Sequence, residues 1–262
     1  MIDDFQYVPQ PVRRAIARAI KTLVTRTQVI LIAVPHEAFE AVRAEPDMNG
    51  RVFQLRVEPW SIPELTYIAR EGFKALRIDD AHEEVGRLLA DTSYGAPFLM
   101  QQLCHDYAIA IGVTETAAAD VAAGEPGDWG RFFSRVAERT KPGVFEKLLR
   151  GPDPRGQERT KRRFKVIDAT TDIYGAVLFG ISKVGVNSPI TYREIVRALQ
   201  VSLHETPQSN QVTSALRHMS EIAFASRGSS DPALDFKGGE VHVMDPFLAF
   251  YLDYGPWIVG QT

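Results

Sequence analysis

The chain has 262 residues, 45% of them hydrophobic and 24% charged, with a formal net charge of -3. That is enough apolar material for a sizeable core, enough length for one to three domains, and a balance neither strongly basic nor strongly acidic. No apolar run approaches the ~20 residues that cross a bilayer, and the first residues carry acids, not the basic-then-apolar pattern of a secretory signal.

The single cysteine, Cys104, cannot form an internal disulfide, which fits a reducing compartment. The expectation is a cytoplasmic protein with no membrane partner. Cys104 sits in an apolar helical run with Phe98, Leu99, Leu103 and Ala108, which reads as core packing. The six histidines (36, 82, 105, 204, 218 and 242) form no i, i+4 pair, so a protein metal site is not expected.

Taken in order, Met1-Ile2-Asp3-Asp4-Phe5 reads as the end of a buried strand that delivers two carboxylates. Residues 9–27 read as an amphipathic helix, with Val12, Ile16, Ala19, Ile20 and Leu23 at helical spacing and Arg13, Arg14, Arg18 and Lys21 opposite. Residues 28–34 (Gln-Val-Ile-Leu-Ile-Ala-Val) read as a fully buried strand. A short helix over 36–43, turn chemistry over 45–50 and an alternating strand over 51–57 continue a strand–helix–strand series, as a parallel sheet requires.

At Ser61 the character changes. Ser61-Ile62-Pro63-Glu64 is a capping box with proline in the first turn, predicting a helix to about Leu76. Asp80 is expected to cap a second helix through Leu89, and Gly95-Ala96-Pro97 to start a third over 98–111. Residues 113–127, rich in Ala, Thr and Gly, read as a linker or loose helix, and 128–149 as one helix. Residues 151–163 combine Gly151, Pro152, Pro154 and Gly156 with Arg159, Lys161, Arg162 and Arg163, and read as a basic linker.

Beyond it, 173–181 is an apolar helix. Thr191-Tyr192-Arg193-Glu194 is a second capping box opening a helix to Leu199, and Ser209 caps a third with Val212, Leu216, Met219 and Ile222 on one face. Residues 234–236 and 241–244 alternate around Lys237-Gly238-Gly239-Glu240, a hairpin signal. Asp245-Pro246 starts a last helix to Tyr254. Three helices and a hairpin predict a winged helix.

The order of these pieces resembles the P-loop ATPases of the STAND and archaeal-type AAA+ group. Asp3-Asp4 match the Walker B acids and 28–34 the sensor 1 strand. Glu58-Pro59-Trp60-Ser61 leads into a lid, Gly95-Ala96-Pro97 matches a Gly-x-Pro motif, and Val243-Met244-Asp245-Pro246-Phe247-Leu248 resembles the winged helix that follows the lid. The resemblance implies an α/β half-domain (partial parallel sheet, 1–60), an α-helical lid (61–150), the basic linker (151–163) and a C-terminal winged-helix domain (164–262). It also implies ATP or ADP with Mg as cofactor. Asp3 would hold the metal and Asp4 orient the attacking water. Gly95 and Pro97 would lie against the base, and Arg51 would reach the γ-phosphate. Each has a plainer reading: a solvated acidic tail for Asp3-Asp4, a helix-start signal for Gly95 to Pro97, and a strand-edge surface charge for Arg51.

The chain departs from the family in one decisive respect. No Gly-x-x-x-x-Gly-Lys-Ser/Thr occurs in it, so the loop whose amides cradle the phosphates is missing. The expectation is a chain that is not a competent ATPase alone: either the Walker-B-onward part of a protein beginning upstream of Met1, or a degenerate relative serving as a scaffold.

The winged helix raises a second reading, a DNA-binding regulator contacting nucleic acid through Arg159, Lys161, Arg162, Arg163 and Arg217. From Phe164 onward, however, seven Lys/Arg face ten Asp/Glu, a net of -3. Phosphate contacts dominate affinity for DNA, so this balance favours a protein partner or self-association. A third reading is a nucleotide-free adaptor.

Overall fold

A computed structural model describes residues 1–2, 8–31, 53, 55, 58–153, 156, 158–186, 189–226 and 232–257. They divide into two compact units, one from residues 1–58 and the other from 59–226 and 232–257. Among the described residues the fold is mixed α/β, mostly helical with small sheets, and no helix is long and apolar enough to cross a membrane.

In the first unit, α1 (Gln10–Leu23) lies between residues 1–2 and 28–31, which are joined by one isolated parallel bridge. Ile2 bridges Leu31, and its N–H donates to the Ile30 carbonyl at 2.8 Å. Among the described side chains of α1, Ile20 is buried, covered by Ile2, Val8, Ile16, Val29 and Leu31. The helix stops at Leu23, earlier than its sequence pattern, and 24–27 turn off through Thr27 N–H to the Leu23 carbonyl. Its apolar stripe is also narrower than the spacing predicts, since Val12 and Leu23 are each 47% exposed. The expected helix over 36–43 and strand over 51–57 fall outside the described residues, as does the continuation of the strand beyond Leu31.

The second unit opens with α2 (Ile62–Leu76), and its capping box is formed: the Glu64 carboxylate accepts from Ser61 N–H at 2.8 Å. α2 ends at Arg77 in the left-handed region, and β1 (Ile78–Asp79) follows. β1 pairs in parallel with β2 (Val121–Ala122). This corrects the reading of 113–127 as a linker or loose helix within an all-helical segment. Arg77 bonds the Asp120 carboxylate and the Ala118 carbonyl, while the Tyr107 hydroxyl both donates to and accepts from the Gly124 backbone.

α3 (Glu84–Thr92) begins later than expected. Asp80 reaches across a turn to accept from Val85 and Gly86 N–H, so it caps the helix from outside. α4 (Pro97–Ala110) has Pro97 in its first turn. The single helix predicted over 128–149 is two: α5 (Trp129–Arg139) and α6 (Gly143–Arg150). Pro142 lacks an N–H and pushes Lys141 out of the helical region, so the chain breaks there although the apolar spacing continues.

β3 (Arg162–Arg163) pairs antiparallel with β4 (Thr170–Thr171), which places the end of the supposed linker in a strand. α7 (Ile173–Val184), β5 (Ile190–Thr191), α8 (Tyr192–Ser202), α9 (Ser209–Ser226), β6 (Leu234–Lys237), β7 (Glu240–Val243) and α10 (Pro246–Tyr254) complete the chain. β5, β7 and β6 form an antiparallel sheet in that order. Gly238 and Gly239, with φ of 64° and 89°, make the turn between β6 and β7, where two positive φ angles match the sheet twist. α7 and α8 pack closely at Gly180, where an added Cβ would lie 2.7 Å from Ile195 Cγ2.

One hydrophobic core runs from Leu65 to Trp257 without a break at the 151–163 segment. Its centre is aromatic: Tyr107 stacks on Trp129, Phe133 meets Phe250 and Tyr254 of α10, and Phe145 meets Tyr251 and Trp257.

Candidate functional site

Of the residues predicted to act on nucleotide, Asp3, Asp4 and Arg51 lie outside the described residues. Gly95 and Pro97 are described, at the entry to α4. Gly95 takes φ of 75°, and a Cβ there would come within 2.7 Å of the Pro59 ring. Its carbonyl accepts from Trp60 N–H at 3.0 Å. The Gly-x-Pro turn is thus fastened to the segment that leads into α2, and only glycine combines that φ with that approach.

The second candidate set is partly gathered. An open groove of about 520 Å³ lies against the first half of α9, lined by Arg159, Thr160, Arg162, Ile173, Tyr174, Asn210, Gln211, Ser214, Ala215 and His218. Residues 210, 211, 214 and 218 share one face of α9 by helical spacing. Of this lining, the sequence pointed to Arg159 and Arg162. It missed Asn210, Tyr174 and His218, because their convergence is tertiary.

Arg159 is not available to a ligand. Its guanidinium donates to the Arg150 carbonyl at 2.6 Å, to the Asp172 carboxylate at 2.7 Å and to the Pro152 carbonyl, and it covers the Tyr174 ring at 4.5 Å. Asp172 also caps α7 through Tyr174 and Gly175 N–H. Arg159 therefore ties the C-terminal end of α6 to the start of α7. Arg163 pairs with Asp168 at 2.9 Å on the surface. Lys161 and Arg217 are exposed.

Arg162 is different. It is 7% exposed, and donates to the Thr160 carbonyl at 3.3 Å and to Gln211 Oε1 at 3.2 Å. Across the groove the Tyr174 hydroxyl and His218 Nδ1 are hydrogen-bonded at 2.9 Å. Burial raises the Tyr174 phenol above its ordinary range, against the opposing pull of Arg159, so the hydroxyl keeps its proton at neutral pH.

Two buried titratable groups elsewhere are structural. Cys104 is buried, as its sequence context implies, and burial pushes its thiol up to about 12. Asp253 is raised by burial and accepts from the Tyr94 hydroxyl at 2.6 Å. No cluster of three metal-ligating side chains occurs among the described residues. Comparison with protein-family models, curated proteins and solved structures finds no match to this chain.

Proposed function

We propose that the chain is the Walker-B-onward portion of a STAND/AAA+-type nucleotide-dependent switch, inactive as an ATPase without a P-loop segment. The observation that carries this reading is the parallel pairing of Ile2 with Leu31 around α1. The resemblance would extend this bridge into a strand ending in two acids beside a second parallel strand, the arrangement that a Walker B and sensor 1 pair needs. Asp3 would then hold Mg, Asp4 orient the water and Arg51 reach the γ-phosphate, with ATP or ADP as the ligand. The Gly95 turn held on Pro59 and Trp60 supports Gly95 and Pro97 as a rigid wall for the base.

The segment from α7 to β7 supports a winged helix. Its helix–strand–helix–helix–strand–strand order, with the first strand beside the last, is that of the motif. A protein partner is the better reading for it than DNA, because Arg159 and Arg163 are engaged by Asp172 and Asp168.

The test is Mg-ATP binding by this chain and by a longer chain extended with the in-frame residues encoded upstream of Met1. Weak binding by the first, micromolar binding by the second, and loss of hydrolysis in Asp4→Asn are the expected results. Micromolar binding by the present chain alone, or a P-loop-bearing longer chain indifferent to ATP, overturns the reading.

A further inference from the structure

We propose that the groove beside α9 is a binding site for a small phosphorylated molecule, with Arg162 as its charged anchor. The inference stands independently of the nucleotide-switch reading, since it concerns a different region of the molecule.

A guanidinium carries five N–H donors and a permanent charge. Arg162 is more than nine-tenths buried, yet its two acceptors are neutral and sit at the long end of hydrogen-bond range. Among the described residues no carboxylate lies within 4.0 Å of it, whereas Arg159 beside it has Asp172. A buried charge without a counter-ion is costly, and natural structures usually pair it.

The groove supplies what an anion would complete. Thr160, Asn210, Ser214 and His218 line it together with Arg162. The Tyr174 hydroxyl occupies His218 Nδ1, and among the described residues Nε2 makes no protein hydrogen bond. The other charged groups beside the groove are Arg159 and Asp172, which pair with each other, Arg163, which pairs with Asp168, the exposed Lys161 and Arg217, and Glu221 three residues beyond His218 on α9.

Hydroxyl, carboxamide and imidazole groups around one cation suit a tetrahedral phosphoryl group, which accepts from several directions, better than a planar carboxylate. Ile173 and Ala215 give an apolar strip for an attached carbon skeleton. A volume of about 520 Å³ holds such a molecule with a few waters. A polyanion fits less well, because the chain from Phe164 onward carries a net charge of -3.

The experiment titrates the full chain with inorganic phosphate at constant ionic strength, following the melting temperature and the His218 ring resonances, with chloride as control. A saturable shift in both is expected. Arg162→Met should abolish it, and Asn210→Ala with Ser214→Ala should weaken it by about tenfold. Arg162→Met should also melt no lower than the parent in phosphate-free buffer, a result that a purely structural arginine would not give. If that variant does not fold, the Asn210/Ser214 pair decides, because both positions are on the surface of α9. No saturable response, or an equal response in the variants, overturns the proposal. A salt-sensitive response to duplex DNA with none to phosphate would also overturn it, and assign the groove to nucleic acid.

Discussion

Replacing Arg159 separates a structural arginine from a nucleic-acid contact. Its guanidinium donates to two backbone carbonyls and one carboxylate and stacks on Tyr174. Hydrogen bonds to a charged group contribute roughly 1.5–3 kcal/mol each when buried, and a partly desolvated cation–π contact about 1 kcal/mol. Both Arg159 and Asp172 side chains retain 22% exposure, so the ion pair itself must be discounted for solvent screening. About 3 kcal/mol for Arg159→Ala is the reasonable sum, a large fraction of ordinary domain stability. Arg159→Lys keeps the charge but cannot reach three acceptors from one planar fork, and should still cost about 2 kcal/mol. Urea unfolding of both variants, with Asp172→Asn to close a double-mutant cycle, measures this. Asn still caps α7, so the cycle isolates the pairing with Arg159. If both Arg159 variants unfold within about 0.5 kcal/mol of the parent, as ordinary surface changes do, the tie between α6 and α7 is not what holds this region.

Gly95→Ala should destabilise by about 1–3 kcal/mol, since alanine must adopt a left-handed φ with its Cβ against Pro59; an unchanged urea midpoint would refute the tight turn. Burial raises the Asp253 carboxyl, with Tyr94 and Lys183 only opposing it. Its folded pKa lies above the unfolded value, so its favourable contribution is complete below about pH 4 and is lost as pH rises through the folded pKa. Asp253→Asn still accepts from Tyr94 and should be at least as stable as the parent at pH 7, with the advantage shrinking by pH 4. A loss above about 1 kcal/mol at pH 7 would show the charge to be favourable. Cys104, with its thiol pushed up to about 12, should stay inert to a thiol reagent at pH 8 until denaturant is added; prompt modification of the native protein would contradict its burial.

What the sequence revealed was local. The capping boxes at Ser61–Glu64 and Thr191–Glu194, the Gly238-Gly239 turn and the Asp245-Pro246 start each need only a few neighbouring residues, and each is present. The pair of β1 and β2 was invisible, because two-residue strands far apart in sequence leave no periodicity. The Pro142 break had a signal that was overridden: Phe132, Val136, Phe145 and Leu148 keep helical spacing on both sides of it, and all four are buried. The basic run from Arg159 to Arg163 read as solvated linker because charge alone cannot show a partner. Asp172 and Gln211, which engage Arg159 and Arg162, come together with them only in three dimensions. The acids of the first strand and Arg51 belong to the undescribed residues, so their assignment still rests on sequence order.

The shared core limits how a switch of this kind could move. A hinge at 151–163 would turn the α7–α10 region against α2–α6, and α10 would have to leave its neighbours. Phe250, Tyr251, Leu248 and Leu252 are buried, with Phe250 and Tyr251 directly against Phe133 and Phe145. Parting Phe250 and Tyr251 from Phe133 and Phe145 exposes four aromatic side chains, at about 2 kcal/mol each, roughly 8 kcal/mol in total. A ligand that drives a two-state equilibrium from 1:99 to 99:1 supplies about 5.5 kcal/mol. A switch of the proposed kind would therefore leave the α5–α10 contact intact. Hydrogen exchange tests this directly: amides of α5 and α10 should keep equal protection with and without bound nucleotide in the longer chain, and nucleotide-dependent exchange in α10 alone would place the hinge at 151–163 after all.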